Sequence, residues 1–408
     1  MHKKSRQIVD KLHPQAVVDA FPQFLKDEAI GGKLILAATV LALIVVNSPL
    51  QHIYESVWHH SLSFGLGSLG LTLDARHWIN EGLMAVFFLV VGLEIKRELV
   101  HGELRDRSKA LLPVAAAIGG MLVPAILYLF INHQPGLTQG WGIPIATDIA
   151  FAVAVLSLLS KRIPSSLKIF LLTLAIADDI GAIFVIALFY AEIIHYWYLG
   201  ISALLLVALI VFRKRIASRL ALYLLAGAVL WFTTHRSGIH ASIVGAALGL
   251  IAPVASRAGR QSVAHRLEAF FLPISTFVIV PLFAFANAGI ILSTRAFSDS
   301  SSLSVMTGVI LGLVIGKMAG IGLASWLMVR FTKASLPPGT NWGHIVGVGF
   351  IAGIGFTVSI FITELAFRTD MQLTEAAKIG IFIASIISAL LGALVLRMAS
   401  KLPKEPVA

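Results

Sequence analysis

The sequence predicts an all-α polytopic membrane protein with about twelve transmembrane helices and one small extracytoplasmic β-hairpin. Composition is the first ground: 57% of the 408 residues are hydrophobic and only 13% are charged, against roughly 25% charged in a soluble domain. The second is length. Apolar runs able to cross a ~30 Å hydrocarbon core recur from one end of the chain to the other. The third is texture, because the runs are near-continuous, whereas a membrane β-barrel alternates residue by residue. The same apolar content excludes disorder. With no cysteine in the chain, disulfides, thiolate metal sites and cysteine nucleophiles are excluded as well.

Taken in order, the spans are Ile30–Val46, Trp78–Leu93, Leu111–Ile131, Gly142–Ser160, Ile169–Tyr190, Trp197–Phe212, Leu220–Phe232, Ile239–Val254, Phe270–Leu292, Leu303–Val329, Gly343–Ile362 and Ala376–Val395. The first follows about 30 polar or mixed residues and ends without a small-residue cleavage site, so it persists as a helix and is not a removed signal. The seventh is short. Two spans carry helix-breaking residues. The fourth contains Pro144 just before Thr147-Asp148, and the eleventh contains Gly347, Gly349, Gly353 and Gly355. Glycines alone suit close helix packing, but two interrupted helices in a transporter-like chain point to a midplane ion site. Twelve spans of about 20 residues use about 240 positions, so residues 1–408 form a single membrane domain. Residues 1–29 make a cytoplasmic N-terminal segment and 398–408 a cytoplasmic tail.

Residues 47–77 form a periplasmic loop with structure of its own. Leu62, Phe64 and Leu66, then Gly67-Ser68, then Leu69, Leu71 and Leu73 give period-two apolar spacing around a two-residue turn, the pattern of a β-hairpin. An isolated hairpin is marginal in water, so this one pairs with a second copy or lies on the membrane surface.

Orientation follows from Lys and Arg. With the N-terminus inside, 26 of the 32 basic residues fall in inner segments and five in outer loops, at Arg76, Arg236, Arg295, Arg368 and Lys378. Both termini are therefore cytoplasmic. The net charge of +11 is accounted for by attraction to anionic inner-leaflet lipid, without nucleic acid.

Lys317, the remaining basic residue, lies inside the tenth span. Asp178 and Asp179 sit mid-way along the fifth, and Asp148 a third of the way along the fourth. Each costs roughly 2.5–3.5 kcal/mol at a helix centre when unpaired. Snorkelling suits Glu81 and Glu94 near span ends, but not residues at this depth. Structural pairing needs equal numbers, and here three carboxylates face one ammonium. Protons or a metal cation must supply the difference. Adjacent helical residues point about 100° apart, so one aspartate can face a cation cavity while the other reaches towards Lys317. Two close carboxylates in low dielectric repel, so at least one holds a proton in the physiological range. A small hard cation that displaces this proton makes the site an exchanger.

Several stretches resemble the bacterial NhaA Na⁺/H⁺ antiporters. They are Thr147-Asp148, Leu174-Ala-Ile-Ala-Asp178-Asp179-Ile-Gly181, Gly92-Leu-Glu-Ile-Lys-Arg-Glu98, Pro281-Leu-Phe-Ala-Phe-Ala-Asn287-Ala-Gly289 and Gly316-Lys317. The match runs in order over almost the whole chain. It implies an NhaA-like inverted repeat of spans 3–5 and 10–12, with spans 4 and 11 broken and crossing. It further implies that Asp179 is the principal Na⁺ or Li⁺ ligand, with Asp178 beside it and paired to Lys317 when the cation is away. Thr147 and freed backbone oxygens would complete the shell. Asp148 would offset the positive ends of the half-helices and Lys317 the negative ends. No cofactor is implied, since Na⁺ or Li⁺ and protons are the transported ions.

The family's cytoplasmic pH-sensing region matches here at Glu94, Lys96, Arg97, Glu98 and Glu268. Ala269 and Leu272 stand where some members carry histidine, so carboxylates would do most of the sensing. His240 lies in a matching Ser237-Gly-Ile-His-Ala241 stretch, although a lone histidine near a span end more often serves packing. The hairpin resembles the one by which members form homodimers.

The expected function is thus electrogenic, pH-regulated export of Na⁺ or Li⁺ against incoming protons, by alternating access in the bacterial inner membrane. The alternative is a sodium-coupled solute symporter, which needs an organic substrate pocket. An intramembrane aspartic protease needs its acids on separate helices and a Gly-x-Gly-Asp motif, which this sequence lacks. The chain is accordingly not expected to be an enzyme.

Overall fold

The computed structural model of the protein describes residues 14–64, 70–159, 163–191, 194–216, 219–254, 262–291 and 299–400. Near-continuous apolar stretches without a polar face give helices buried against one another on one side and lipid-facing on the other. In chain order these are α1 (Pro14–Val46), α2 (Gln51–Trp58), α3 (Ala75–His101), α4 (Arg107–Ile131), a 3₁₀ segment (Thr138–Ile145), α5 (Ile149–Leu158), α6 (Ser165–Phe189), α7 (Tyr196–Ile216), α8 (Leu220–Arg236), α9 (Ser242–Ile251), α10 (Val263–Asn287), α11 (Ser300–Phe331), α12 (Trp342–Ala352), α13 (Phe356–Ala366) and α14 (Met371–Ala399).

Among the described residues eight helical stretches are long and apolar enough to cross a membrane, or ten if each bent pair counts as one span. One pair is α1 with α2, which turns through 116°; the other is α12 with α13, bent by 46°. The expected count of twelve needs α8 and α9 as well, and these are helices of only 17 and 10 residues. Polytopic membrane architecture is therefore plain, with eight to ten spans shown by length and composition.

α4 packs along α11, α11 and α12 pack on α14, and α6 lies against α4, so these helices form one block. Its core holds Tyr128, Phe283, Phe361 and Lys317, all almost fully buried. A second cluster gathers Leu209, Tyr223, Leu230, Leu248 and Leu267 from α7–α10 around α3. The outer surface stays apolar, with Phe130 82%, Trp197 78% and Leu158 77% exposed, as a lipid-facing surface requires.

The hairpin strands are β1 (Ser61–Phe64) and β2 (Leu71–Asp74), antiparallel, with Leu62 opposite Leu73 and Phe64 opposite Leu71. That register suits the expected turn, whose Gly67-Ser68 lies outside the described residues. Asp74 ends β2 and caps the next helix, its Oδ1 accepting from the His77 backbone N–H at 2.7 Å.

Three charges lie deeper than their sequence positions suggested, and one of them, Glu94, is 8% exposed and does not snorkel. Glu81 is 4% exposed and does not snorkel. Its Oε1 pairs with His240 Nδ1 at 2.8 Å and its Oε2 accepts from the Ala241 N–H at 2.9 Å. Lys378, counted with the outer-loop charges, is a buried residue of α14 in an ion pair with Glu364 of α13 at 2.5 Å. Glu81 and Lys378 lie within two turns of a helix start, where hydropathy does not tell a loop charge from a buried one.

Candidate ion site

The site forms where two interrupted stretches meet. Pro144 cannot donate an i→i−4 bond, and the 3₁₀ segment stops at Ile145; Ala146–Asp148 are extended before α5 begins. On the other stretch α12 ends at Ala352, and Gly353–Gly355 lead into α13. Gly353 is required there, because a Cβ would stand 2.3 Å from the Leu313 carbonyl oxygen.

Backbone groups freed at one break are satisfied by the other. The Asp148 N–H donates to the Ile354 carbonyl at 2.7 Å, and Ser359 Oγ donates to the Ile143 carbonyl at 2.8 Å. The Asp148 carboxylate spans both: Oδ1 accepts from the Phe151 N–H at the start of α5, and Oδ2 from the Thr357 N–H and hydroxyl at 2.9 and 2.5 Å. A single negative charge thus sits at the N-terminal turns of two short helices, where the helix dipole favours it.

α6 passes beside this crossing and brings Asp178 and Asp179 to it. Asp178 Oδ2 accepts from the Lys317 ammonium and lies 2.6 Å from the Thr147 hydroxyl. That hydroxyl is also 2.8 Å from the Ala352 carbonyl, and its one hydrogen can serve only one of the two at a time. Asp178 Oδ1 is buried with no hydrogen-bond partner. Asp179, turned away by its place on the helix, makes no hydrogen bond among the described residues and faces a cavity of about 60 Å³ shared with Glu94, Thr147, Asp148 and Thr357. That space admits water or a small cation.

Five of the residues expected at the site therefore converge: Asp178, Asp179, Thr147, Asp148 and Lys317. Lys317 is fully buried and spends its charge on Asp178; among the described residues it reaches no helix-end carbonyl. No cluster of three acidic or histidine side chains has the arrangement of a metal cage among the described residues.

Of the expected pH-sensing residues, Glu94, Arg97, Glu98 and Glu268 lie within electrostatic reach of one another, and His240 lies apart. Arg97 of α3 is in an ion pair with Glu268 of α10, and Glu98 Oε2 accepts from the Glu103 N–H at 3.0 Å. Lys96 is half-buried beside them, and Glu94 points into the Asp179 cavity. His240 is at the other end of α3, against Glu81; thirteen residues of helix separate Glu81 from Glu94, about 20 Å. Its two ring nitrogens face the Glu81 carboxylate and the Tyr190 carbonyl, both at 2.8 Å. Thr357 escaped the sequence reading, although Gly355-Phe-Thr357 just past a glycine break parallels Pro144 before Thr147. Tyr190 escaped it as well, and no local signal marks it or the buried pairing of Glu81.

The sequence of residues 22–396 matches the family profile Na+/H+ antiporter 1. The chain belongs to this family. It is 46% identical over 392 residues to the Na(+)/H(+) antiporter NhaA of Mesorhizobium japonicum, covering 94% of this chain and 96% of that protein. It is 44% identical to the Na(+)/H(+) antiporter NhaA of Pseudomonas putida, with 94% and 98% of the two chains covered. Among solved structures it resembles the sodium proton antiporter MjNhaP1 from Methanocaldococcus jannaschii, at a TM-score of 0.57 over 94% of this chain and 98% of that one. At 13% identity this last likeness concerns the fold alone. The NhaA resemblance read from the short motifs thus holds over nearly the full length, in a family of transporters.

Proposed function

We propose that this protein is an antiporter that exchanges Na⁺ or Li⁺ for protons by alternating access at the Asp178–Asp179 site. The observation that carries the reading is the unequal state of the two aspartates: Asp178 is held by Lys317, while Asp179 faces the cavity unpartnered. A cation arriving at Asp179 recruits Asp178 and the Thr147 hydroxyl only by displacing Lys317. A proton arriving at the same oxygens restores the Lys317 pair or neutralises the site. Cation and proton then exclude one another, which is the requirement for exchange. Because two acids and one lysine titrate together, more than one proton accompanies each cation, and the cycle is electrogenic. The names of the relatives favour this reading over sodium-coupled symport.

The finer assignments belong to the same proposal. Twelve spans in an inverted repeat, with both termini in the cytoplasm of a bacterial cell, put Glu94, Lys96, Arg97, Glu98 and Glu268 at the cytoplasmic mouth as regulators of activity by pH. His240 would contribute from the periplasmic end. The hairpin is the expected surface for a homodimer, and membrane lipid is the remaining partner.

The test is sodium-dependent dissipation of a proton gradient in everted or reconstituted vesicles. Asp179→Asn is expected to abolish exchange with Na⁺ and with Li⁺ while the protein still assembles in the membrane. Exchange at the normal rate in that variant would refute the assignment.

A further inference from the structure

The 3₁₀ segment Thr138–Ile145 leads directly into Thr147 and Asp148, yet it is eight residues long. Runs of 3₁₀ helix beyond three or four residues are uncommon because their hydrogen bonds are poorly aligned. This segment is held from outside. Tyr190, the residue that ends α6, places its hydroxyl between two turns of the segment: it donates to the Gln139 carbonyl at 2.8 Å and accepts from the Gly142 N–H at 3.2 Å. Glycine at 142 makes the approach possible, since a Cβ there would lie 2.5 Å from the Tyr190 hydroxyl oxygen. Tyr190 is itself fixed, for its carbonyl meets His240 Nε2 at 2.8 Å. A second phenol, Tyr128 of α4, also packs against the segment, at Gly140, where a Cβ would stand 2.3 Å from its hydroxyl oxygen, but its hydrogen bond goes to the Leu137 carbonyl before the segment, at 3.0 Å.

We infer that Tyr190 is a positioning residue for the ion site: its phenol fixes the 3₁₀ segment to α6, and so fixes Thr147 against Asp178. The geometry supports this because the two halves of the site belong to the two elements that Tyr190 joins. Asp178 and Asp179 ride on α6, and Thr147 and Asp148 follow the segment. From Gly142 to Thr147 is five residues, three along the 3₁₀ segment and two in extended chain, about 13 Å. A slackened clamp displaces the Thr147 hydroxyl and the Ala146–Asp148 backbone relative to the aspartates, and it leaves the aspartates themselves intact. The inference rests on the assignment of cation binding to these residues.

The experiment measures exchange by Tyr190→Phe in proteoliposomes, with KM for Na⁺, maximal rate and Tm, beside Asp179→Asn. The phenylalanine keeps the ring and removes both hydrogen bonds. The expected result is a KM for Na⁺ raised about fivefold, the scale of one or two net hydrogen bonds, with maximal rate within about twofold and Tm within about 2 °C. Gly142→Ala, which displaces the hydroxyl, is expected to raise KM similarly, and the double variant no further, because both act on one contact. Tyr128→Phe is expected to leave KM within about twofold. An unchanged KM in Tyr190→Phe beside an inactive Asp179→Asn overturns the clamp alone. So does a lowered Tm at constant KM, or additive effects in the double variant, or an equal rise in Tyr128→Phe. Exchange retained by Asp179→Asn overturns instead the site assignment beneath it. Should Tyr190→Phe fail to accumulate, Gly142→Ala decides by the same KM criterion.

Discussion

Among the described residues two lysines are buried and paired with a carboxylate on another helix, and only one of them belongs to the proposed ion site. Lys378 of α14 meets Glu364 of α13, with Arg76 and His77 also near the glutamate and Glu375 near the lysine, the lysine side chain 6% exposed and the glutamate 20%. Lys317 of α11 meets Asp178 of α6 with both side chains wholly buried, and Asp179 and Asp148 stand beside them. The first pair is balanced and partly wetted, so it can rest. The second is embedded in a surplus of acid that no further cation among the described residues pairs with. Asp148 is compensated by the N-terminal turns of α5 and α13, which leaves Asp179 as the uncompensated group. Buried charge is thus common to both pairs, and the proposed site differs from the other in its imbalance.

The comparison is broken most directly at Lys317. Lys317→Ala leaves Asp178 and Asp179 buried without their cation, and removing one partner of a buried pair costs about 3–5 kcal/mol. We expect a large fall in Tm and a changed pH profile of exchange. The deficit should be greatest at alkaline pH, where both carboxylates have to be charged, and should shrink on acidification as protons replace the missing ammonium. Thermal unfolding followed from pH 5 to 9 measures this, and a uniform deficit across the range would contradict it.

Lys378→Met is the milder counterpart. Glu364 keeps some access to water, so the loss should stay below that for Lys317→Ala, about 1–3 kcal/mol. Exchange should continue with KM for Na⁺ within about twofold. Removing both partners, in Lys378→Met with Glu364→Leu, should recover most of the lost stability, because a buried pair replaced by apolar residues is often neutral. The equivalent double replacement of Lys317 and Asp178 should not recover transport. If Lys378→Met silences exchange as Lys317→Ala does, the distinction between balanced and unbalanced pairs fails.

How much of this was legible in the sequence follows the same division. Asp178, Asp179 and Lys317 are conspicuous because they lie nine or more residues from either end of an apolar run, where hydropathy alone fixes their depth. Glu81, Glu364 and Lys378 lie near run ends, where a buried side chain and a wet one read alike. Partnership was less legible than depth. His240 meets Glu81 across 159 residues of sequence, and Asp148 meets Thr357 across 209. Nothing local encodes such contacts; they follow from how helices cross. Pro144 and the glycines of the eleventh run pointed to interruptions, but not to the satisfaction of each break by the other's backbone. The hairpin was readable because period-two alternation around a turn is a local property.

The smallest effect is expected at that hairpin, which lies far from the surplus charge and serves to test whether it is coupled to the site at all. Burial alone would push the Asp74 carboxyl up, but hydrogen bonds from the His77 backbone and ring, with the charges of His77 and His59, outweigh it and hold the group below the usual carboxylate range. The stabilisation from this cap is therefore present at neutral pH and is lost only as the pH falls below about 4, the ordinary aspartate value. Asp74→Ala removes the cap at a cost of about 0.5–2 kcal/mol, confined to the end of β2 and the first turn of α3. We expect a lower fraction of dimer in detergent at pH 7, read by light scattering, with KM for Na⁺ unchanged. Acidifying the unaltered protein below pH 4 should lower the dimer fraction in the same direction, whereas Asp74→Ala should respond less over that range. A dimer that survives both changes would remove the hairpin from the interface. A changed KM would mean that the hairpin and the ion site are coupled, and the two ends of α3 would then have to be treated as one unit.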